Sequence, residues 1–489
     1  MKKLLATLLL VAMCVTCVSM FASCSDDGTG TGGVDFVVPE EGYTGEAVEI
    51  TFYHSMGATL RAVLEEAIVE FNKLYPNITV KHQSLGDYDG VRDQIKTQLT
   101  AGTQPNIAYC YPDHVALYNI AKAVISMDNL IASEIVVARA DGTTETVGFT
   151  QEQLNDFVAG YYAEGAVYDA EGTMYTLPMS KSTEALYYDK TFFAKNGLSV
   201  PTTWEEMEAL CARILEIDPT CIPLGYDSEA NWFITMCEQY GSPYTSHDED
   251  NHFVFDNETN HTFVEMFNRW YRSGYITTEA IYGAYTSGLF TSTTGQRCYM
   301  VIGSTGGASY QTPPQDGDGN YLFQTGMAMI PQVDPANPKV ISQGPSLCIF
   351  GDSNAQEVVA SWLFVKYLTT NVQFQAKFSM KSGYAPVIKS VQNDPVYQAW
   401  LDASNSDGVD EETGLPVWKT SQNLTALSVK QALAQNDAYY VSPAFNGSSV
   451  ARDQVGILLQ DALVVTGDNI SAQIDALFKK AINECEYSQ

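Results

Sequence analysis

The sequence predicts an α/β protein of two lobes, each built around a mostly parallel sheet. A chain of 489 residues, 45% of them hydrophobic, can bury more than one core, because single cores rarely grow beyond about 250–300 residues. Strand-like and helix-like patterns alternate from residue 48 to residue 110, and a second run begins near Tyr175. Such alternation is typical of parallel sheets covered by helices. The sequence shows no internal repeat.

The first lobe is predicted to begin with a βαβαβ unit. Its segments are, in order, Val48 to Tyr53, Leu60 to Leu74, Ile78 to Lys81, Val91 to Leu99, and Asn106 to Cys110. The strands are rich in β-branched and aromatic residues, and the helices carry hydrophobic residues at helical spacing. Pro76 and Gly102 end the two helices.

Ligand contacts are expected at the carboxyl ends of these strands, where ligands of open α/β sheets bind. Tyr53, His54, Tyr111 and Asp113 lie there. His54 and Ser55 are neighbours, and strand neighbours point to opposite faces, so they do not suit a base–nucleophile pair. The sequence therefore favours a pocket rim over a catalytic centre.

The second run of strands and helices predicts the other lobe and the connections between the two lobes. Thr203 is predicted to cap a helix with Glu206, and late helices are predicted from Ala355 to Leu368, Arg452 to Val464 and Ser471 to Ile482. The chain is expected to cross between lobes near residues 177–182, 301–305 and 351–354. These crossings divide the chain into residues 46–178 with 304–352 as lobe I, and 179–303 with 353–489 as lobe II.

Charge and aromatic content narrow the class of partner. The formal net charge is −32, which opposes nucleic acid and anionic membrane surfaces. Only 17% of residues are charged, whereas the chain has 29 Tyr and 21 Phe. Sugars offer apolar faces with hydroxyl edges, so aromatic rings beside short polar groups suit them. We expect a small-molecule ligand, no cofactor and no metal.

The first residues predict export. Lys2 and Lys3 precede an apolar run, which ends in Phe21-Ala22-Ser23-Cys24. That ending resembles a bacterial lipobox, so residues 1–23 are read as a lipoprotein signal peptide and Cys24 as the lipidated residue; a plain secretory signal is the alternative. Residues 24–45 form a flexible tether. The protein is then expected outside the cytoplasm, anchored to the cell membrane.

Seven cysteines follow Cys24. They form no C-x-x-C pair, and their odd number argues against a zinc site or a complete disulfide framework. Buried free thiols are the simplest reading. A Cys211–Cys221 or Cys221–Cys237 bridge remains open in an exported protein.

Several segments in fixed order resemble one family: "ITFYHSMG", "FNKLYPNITV", "AGTQPNIA", "STEALYYDK", "PTTWEEM", "QGPSL" and "KSGYAPV". They are similar to the family 1 extracellular solute-binding proteins of ABC importers, and among these to the glycerol-3-phosphate-binding type. The resemblance implies a periplasmic-binding-protein-like fold of class II, in which several hinge crossings join two lobes around a ligand cleft. It also implies a monomer without enzymatic activity, which serves ABC permease transmembrane subunits.

Site residues follow from the resemblance only where a motif matches. Tyr88 resembles the family's cleft tyrosine, Ser182 the serine of the first crossing, and Trp232 a stacking tryptophan. Ser304, Gly344 and Tyr384 resemble further contacts of that type. With the residues chosen for their chemistry, the predicted ligand contacts are Tyr53, His54, Tyr88, Tyr111, Asp113, Ser182, Thr183, Trp232, Ser304, Thr305, Gly344, Tyr384 and Asn446.

Two departures from the family bear on the ligand. Pro112 stands where a glutamate is expected, and the segment "FNGSS" holds no arginine to meet a phosphate, with none before Arg452. A buried phosphate without a cation loses its strongest partner. A sugar or oligosaccharide is therefore favoured, with glycerol-3-phosphate or a glycerophosphodiester as the alternative. A glycan-degrading surface lipoprotein and a structural adhesin are remoter alternatives.

Three further motifs are interpreted as ordinary structure. "GSTGG" at Gly303 lacks the Gly-Lys that a phosphate-binding loop needs. "DGDGN" at Asp316 has calcium-loop spacing, but Met327 stands where the bidentate glutamate belongs, so a turn is favoured. "HDEDN" at His247 is interpreted as a solvated loop, with a calcium site as the weaker alternative.

Overall fold

The computed structural model describes residues 33–169, 171–246, 251–351, 353–441 and 444–487. The predicted signal peptide, Cys24 and residues 247–250 lie outside them. The prediction of a flexible tether over residues 24–45 is wrong for the described part of that segment, because Val34 N donates to Val124 O at 2.8 Å and Tyr43 is buried in a hydrophobic core. The strands are β1 Val48–His54, β2 Ile78–Ser84, β3 Ile107–Cys110, β4 Val136–Ala138, β5 Thr144–Thr146, β6 Leu177–Pro178, β7 Glu184–Asp189, β8 Leu224–Tyr226, β9 Ile276–Thr278, β10 Met300–Ser304, β11 Thr325–Ala328, β12 Val340–Ile341, β13 Ser346–Ile349 and β14 Tyr439–Tyr440.

Helices cover most of the remaining core-forming chain. They are α1 Ala58–Leu74, α2 Tyr88–Leu99, α3 Pro112–Asn119, α4 Asp128–Ile131, α5 Gln151–Asp156, α6 Ala159–Ala163, α7 Lys190–Asn196, α8 Trp204–Ile217, α9 Glu229–Tyr240, α10 Glu258–Arg272, α11 Glu279–Tyr282, α12 Ser287–Phe290, α13 Ala355–Thr370, α14 Val372–Ser382, α15 Lys389–Gln392, α16 Pro395–Asp402, α17 Leu424–Ala434, α18 Ser448–Leu463 and α19 Ile470–Tyr487. Short 3₁₀ turns lie at Glu164–Ala166, Thr305–Gln311, Val417–Lys419 and Asn436–Ala438.

The first sheet has the strand order β2-β1-β3-β13-β6. β1 runs parallel to both β2 and β3, as the βαβαβ pattern predicts. β13 is antiparallel to β3 and to β6, because it returns from a distant part of the chain. Alternate residues of β1, such as Ile50 and Phe52, are fully buried against the covering helices.

The second sheet has the order β11-β7-β10-β8-β9. β8 runs parallel to β10 and to β9, whereas β7 is antiparallel to β10 and β11. Each sheet therefore has a parallel portion and an antiparallel portion. The parallel portions bring the carboxyl ends of β1, β2 and β3 to one edge, and those of β8, β9 and β10 to another.

Each sheet has its own hydrophobic core, and we call the segments packed on them the first half and the second half. The first half contains β1 to β6, β13, α1 to α6 and α13 to α16; the second contains β7 to β11, α7 to α12, α18 and α19. Two segments lie in the half opposite to the one the sequence indicated. β11 pairs with β7 in the second sheet, and the segment from α13 to α16 packs in the first core.

The physical reason for the exchange is that these two segments carry no pattern that selects one sheet. α13 is buried over most of its circumference, including Trp362, whose Nε1 donates to Val147 O at 2.7 Å. A helix buried all round signals a core but not which core. Its covering role on the first sheet follows from tertiary packing alone.

The chain crosses between halves at residues 179–183, 342–345 and 435–438. β6 leads into β7 at the first crossing, as predicted, and β12 leads into β13 at the second. At the third, α17 leads into β14, which pairs with β12. The predicted crossings at 301–305 and 351–354 do not join the two sheets, because β10 leads to β11 and β13 leads to α13 within one half each.

Several local predictions are confirmed. The capping box at Thr203 and Glu206 is present, and Asp316 Oδ1 accepts from the backbone N–H groups of Asp318 and Asn320 at 2.9 Å, as in a turn. The seven cysteines after Cys24 are buried free thiols: Cys110, Cys211, Cys221, Cys237, Cys298, Cys348 and Cys485. Across the ranges given above, every helix is too short or too polar to cross a membrane.

Candidate ligand-binding site

Side chains of the two halves meet near these carboxyl ends, and we call the region between the halves the gap. Arg92 in α2 of the first half reaches α18 of the second half, with Nη1 3.2 Å from Ser449 Oγ and 3.3 Å from Asp453 Oδ2. Nearby, the ring of Tyr384 from the first half covers Gly306, where a Cβ atom would lie 2.7 Å from the ring. Only glycine permits this approach. The two halves thus contact each other at two places.

A cluster of tyrosines lines the first-half side of the gap, and we call Tyr88, Tyr109, Tyr111 and Tyr384 the tyrosine cluster. Tyr88 and Tyr111 are stacked with centroids 4.3 Å apart, and Tyr88 lies 6.3 Å from Tyr109. Tyr384 lies close enough to Tyr88 to add to the effect of burial on the pKa of the Tyr88 phenol. Burial raises the pKa of all four phenols, so they are neutral at physiological pH.

Local structure explains why these rings meet. Tyr88 begins α2, which Asp87 caps by accepting from Gly90 N at 2.7 Å. Tyr111 is the N-cap of α3, immediately after β3. Tyr384 follows Gly383, whose left-handed conformation at φ 81° ends α14. Three chain reversals therefore present three rings to the same gap.

Several buried polar atoms near the cluster have no hydrogen-bond partner in the part of the chain that the structure describes. They are Tyr109 OH, Asp113 Oδ2, His114 Nδ1 and Tyr244 OH. Each side chain is at most 8% exposed, and burial lowers the pKa of His114. Leaving such a group unsatisfied costs about 1–3 kcal/mol, so native proteins rarely do so without a functional reason. These atoms could form hydrogen bonds with a polar ligand.

A cation, Arg452, lies near the tyrosine cluster. Arg452 donates to Asn231 Oδ1. Asn231 Nδ2 in turn donates to Glu184 Oε1 at 2.9 Å, and Tyr226 OH donates to Glu184 Oε2 at 2.6 Å. Burial raises the pKa of Glu184 to about 7, against the opposing effect of these partners. The charge of Arg452 also acts on Tyr111 and His114.

Arg452 bears on the second departure from the family pattern. Helix α18 begins at Ser448, so Arg452 lies one turn inside it and reaches Asn231 near the start of α9. From the sequence alone, Arg452 was expected to lie too far along the chain to contact a phosphate. The helix start after Gly447 could have revealed this position of Arg452. Residues four apart, such as Ser448 and Arg452, lie on the same face of a helix.

The carboxyl edge of the second sheet carries three acidic residues, Asp227, Glu229 and Glu279, which we call the acidic wall. Asp227 follows β8 and accepts from Thr286 N at 2.7 Å and Thr286 Oγ1 at 2.6 Å. Glu229 Oε1 accepts from Ala280 N at 3.1 Å. Glu279 follows β9, and burial together with Asp227 and Glu229 raises its pKa to about 7. These residues escaped the sequence analysis, although the strand-end rule that selected Tyr111 also selects them.

Five predicted contacts lie in or beside the crossings. Thr183 N donates to Thr305 Oγ1 at 3.1 Å, Thr305 N donates to Thr183 O at 2.8 Å, and both side chains are fully buried. Ser182 exchanges backbone hydrogen bonds with Gln343 at 2.7 and 2.8 Å. Ser304 Oγ accepts from Gly306 N at 3.1 Å and is partly exposed.

Gly344 is the fifth and has a backbone reason to be glycine. Its φ is +102°, and a Cβ atom would lie 2.5 Å from Ser180 O. The close approach holds the first and second crossings together. Gly344 and the buried threonines therefore shape the hinge region rather than offering side-chain surface to a guest.

Trp232 lies in the core of the second half, not at the gap. Its side chain is fully buried, stacked on Tyr226 at 4.6 Å and packed on Phe267 at 3.9 Å. The reason is its position within α9, where it faces the sheet with the other buried residues of that helix. We therefore withdraw its predicted stacking role.

His54 is also sealed from the gap. Its Nε2 is 2.9 Å from His82 Nδ1, and its Nδ1 accepts from Met56 N at 3.1 Å. Burial, with the charges of His82 and Arg61, lowers the pKa of His54 to about 3. Both ring nitrogens are occupied, so neither contacts Ser55 or a ligand.

The remaining predicted positions occupy the periphery. Tyr53 packs against a small hydrophobic cluster of the first half, and its hydroxyl accepts from Gln98 Nε2 at 3.2 Å. Asn446 is half-buried immediately before α18. Among the described residues, no group of three or more His, Cys, Asp or Glu side chains is arranged to hold a metal ion.

Comparisons with known proteins identify the family. The sequence profile described as "Bacterial extracellular solute-binding protein" matches residues 66–404. The sn-glycerol-3-phosphate-binding periplasmic protein UgpB of Salmonella typhimurium is 27% identical over 192 residues, which are 38% of this chain and 40% of that protein. UgpB of Pectobacterium atrosepticum is 23% identical over 356 residues, or 70% of this chain and 73% of the relative.

Solved structures share the fold at low identity. UgpB from Mycobacterium tuberculosis in complex with glycerophosphocholine superposes with a TM-score of 0.69 at 16% identity, covering 90% of this chain and 99% of the other. MalE3 of T. maritima with bound maltose gives 0.64 at 18% identity, covering 91% and 100%. Both agree with the two-sheet architecture described above. The chain belongs to the bacterial extracellular solute-binding protein family.

Proposed function

We propose that this protein is the substrate-binding component of an ABC importer. It captures a small polar solute in the gap between its two halves and delivers it to a membrane permease. The carrying observation is the tyrosine cluster beside buried polar atoms that lack partners within the described chain. Rings and unsatisfied donors and acceptors on opposed strand edges suit a guest that makes both apolar and hydrogen-bonding contacts.

A sugar or oligosaccharide is the ligand class that this chemistry favours. Tyr88, Tyr111 and Tyr384 offer neutral phenols and ring faces, and Asp113 with Ser304 offers short polar groups. A pyranose stacks its C–H face on such rings while its hydroxyls reach the polar atoms. A micromolar Kd corresponds to about −8 kcal/mol, which a few such contacts can supply.

Arg452 favours a second ligand class, glycerol-3-phosphate or a glycerophosphodiester. Its guanidinium lies beside Asn231 and acts on Tyr111 and His114 across the gap. A guanidinium is the preferred partner of a buried phosphate. The UgpB relatives are named for sn-glycerol-3-phosphate. We therefore keep this ligand class as an alternative to a sugar.

Binding is proposed to close the gap. A guest that contacts both edges binds the closed arrangement better than the open one and shifts the population towards it. The three crossings are short, so rotation of the halves about residues 179–183, 342–345 and 435–438 is the natural motion. The closed shape is then what the permease recognises. The guest leaves chemically unchanged.

Export and anchoring are part of the same proposal. The lipobox at Cys24 and the tether that follows it would hold the protein at the outer face of the cell membrane. The tether segment "SDDGTGTGG" is rich in small polar residues, which keep the folded part a short distance away. The protein would act there as a monomer.

Calorimetric titration of the purified protein tests the function. The panel is maltotriose, longer maltooligosaccharides, sn-glycerol-3-phosphate and glycerophosphocholine, and chromatography of the recovered solute follows each titration. We expect micromolar binding of at least one member with full recovery of the intact solute. A flat panel would refute both ligand classes. Recovery of shortened oligosaccharide would show a glycan-degrading enzyme instead.

A further inference from the structure

A second cavity lies at the edge of the second sheet that is remote from the gap. It has a volume of about 360 Å³ and is lined by α7, by the loop before β10 and by the residues before β11. Tyr299 lines it immediately before β10, whereas Ser304 ends that strand at its carboxyl edge. Five residues of strand span about 16 Å, so the cavity is separate from the gap. Small-molecule sites have volumes of about 300–1,000 Å³, so this one has room for a small ligand.

The charged side chains of the cavity are two cations, Arg297 and Lys195, and one anion, Asp189, which together give a net charge of +1. The carboxylate is already engaged, because Asp189 Oδ1 accepts from Phe192 N at 2.8 Å and its Oδ2 accepts from Arg297 Nη2 at 3.0 Å. Lys195 is exposed and forms no ion pair with any residue that the structure describes. The whole chain has 26 Lys and Arg against 58 Asp and Glu. The cavity therefore offers positive charge on a molecule that is acidic overall.

Neighbouring carboxylates do not cancel this charge inside the cavity. Asp218 does not line the cavity, and its Oδ2 accepts from Tyr299 OH at 3.1 Å. Asp407 is paired with Lys190, whose Nζ lies 2.6 Å from Asp407 Oδ1. The free charge of Lys195 therefore favours an anionic ligand.

The guanidinium of Arg297 is held in place before any ligand binds. Its Cζ atom lies 4.4 Å from the ring centroid of Tyr299 and 5.1 Å from that of Phe323. Phe192 stacks on Tyr299 at 3.7 Å and fixes that ring in turn. Arg297 Nε is buried and has no hydrogen-bond partner in the described chain, yet 23% of the side chain is exposed. The guanidinium is thus oriented but not saturated with acceptors, which favours binding of a carboxylate or a phosphate.

We propose that this cavity is a second ligand site, which binds a small anion through a carboxylate or a phosphate group. Arg297 donates hydrogen bonds to the anion, Lys195 neutralises its charge, and the exposed hydroxyl of Thr293 offers a further hydrogen bond. The site does not depend on the proposed function. Because the cavity and the gap are separate, the anion and a solute in the gap can be bound at the same time.

Calorimetric titration of the unmodified protein with sodium succinate and with sodium phosphate tests the proposal. Sodium chloride keeps the ionic strength constant, which removes general screening effects. We expect saturable binding of at least one probe. Binding of succinate alone would assign the site to carboxylates, binding of phosphate alone to phosphates, and binding of both to the chemistry that they share. Failure of both probes to bind would overturn the proposal.

Removal of single charges locates the bound probe. R297Q should weaken its binding about tenfold, and K195Q about threefold, because Lys195 is exposed. K96Q is the matched control, since Lys96 is likewise an exposed lysine in the last turn of a helix, α2 instead of α7. It should leave the affinity unchanged. Equal losses in K195Q and K96Q would show a general charge effect and would overturn the site.

A variant that keeps both cations provides an independent test. T293E places a like charge in the cavity and should weaken binding of the probe about tenfold. T100E makes the same change at an exposed threonine of the first half and should have no effect. Should R297Q fail to fold, as judged by circular dichroism, K195Q and T293E decide, since both positions are exposed. Probe binding that is indifferent to both variants would place the anion elsewhere, such as beside Arg452, and the proposal would fall while the importer function stands.

Discussion

Two aromatic groups of this protein look alike in the sequence and differ in the structure. Around Trp232, Tyr226 and Phe267 the rings pack within 3.9–4.6 Å and are fully buried. In the tyrosine cluster, Tyr88 and Tyr111 stack at 4.3 Å and keep part of their surface open. Both groups contain a residue that resembles a family ligand contact. Only one of them faces the gap.

The difference lies in what surrounds the rings rather than in the rings themselves. Tyr226 OH is satisfied by Glu184, and the neighbours of Trp232 are aromatic or aliphatic. The tyrosine cluster borders Asp113, His114 and Tyr244, whose buried polar atoms have no partner within the described ranges. The core group leaves Trp232 Nε1 without a partner too, but rings enclose that atom, whereas the tyrosine cluster has several such atoms beside it. This contrast yields four predictions.

The largest effect is expected in the core group. Trp232→Ala should lower the free energy of unfolding by about 3–5 kcal/mol, because it leaves a large cavity in a packed core. Urea denaturation followed by circular dichroism measures the loss. The fraction that remains folded should bind its ligand with unchanged affinity, and Trp232→Phe should be much milder. A loss of ligand affinity without a loss of stability would show that Trp232 contacts the ligand instead.

A buried ion pair lies between the two groups, at the crossings. Lys181 Nζ contacts the Glu164 carboxylate and lies 3.2 Å from Ser346 Oγ, with both charged side chains at most 2% exposed. Lys181→Met should cost about 3 kcal/mol, since it strands a buried carboxylate. The double variant with Glu164→Gln should recover part of that loss in the same urea titration. Equal stability of the single and double variants would contradict this account of the pair.

The tyrosine cluster should show the opposite balance of effects. Tyr111→Ala should weaken ligand binding at least tenfold, or about 1.4 kcal/mol. Its cost in unfolding free energy should be smaller, about 1–2 kcal/mol, because the partly buried ring loses one aromatic stack and only part of its area is removed from water. Calorimetric titration and urea denaturation measure the two quantities on the same sample. A stability loss as large as that of Trp232→Ala would make the cluster an ordinary core.

The smallest effect concerns Glu279 and pH. Its pKa of about 7 in the folded protein exceeds the ordinary value of 4.5, so the folded state binds the proton more tightly. Stability from this group is complete below pH 4.5 and is lost as the pH rises through 7. Glu279→Gln should therefore be slightly more stable than the parent at pH 8 and equal to it at pH 4. A stabilisation of the same size at both values would exclude the raised pKa.

Much of the fold could be predicted because local patterns carry it. The strand predicted at Val48 to Tyr53 is observed as Val48–His54, and the helix capped by Thr203 begins where its capping box indicates. Assignment of β11 and α13 to their halves could not be predicted. The assignment depends on which sheet a segment packs against after a long connection. The local hydrophobic pattern of the segment carries no information about that choice.

The site was harder to predict than the fold. Tyr111 and Asp113 follow from a rule about strand ends, and the same rule would have given Asp227 and Glu279 had it been applied to β8 and β9. Trp232 and His54 failed for a different reason. Their burial depends on neighbours distant in sequence, Phe267 and His82, which no motif reveals.

A crystal structure with a bound solute tests the central claim most directly. The solute should be whichever member of the panel binds most tightly to the unmodified protein. We predict electron density for an intact solute in the gap, in contact with Tyr111 of the first half and with Ser304 or Arg452 of the second. Density outside the gap, contact with one half only, or a cleaved solute would contradict the account.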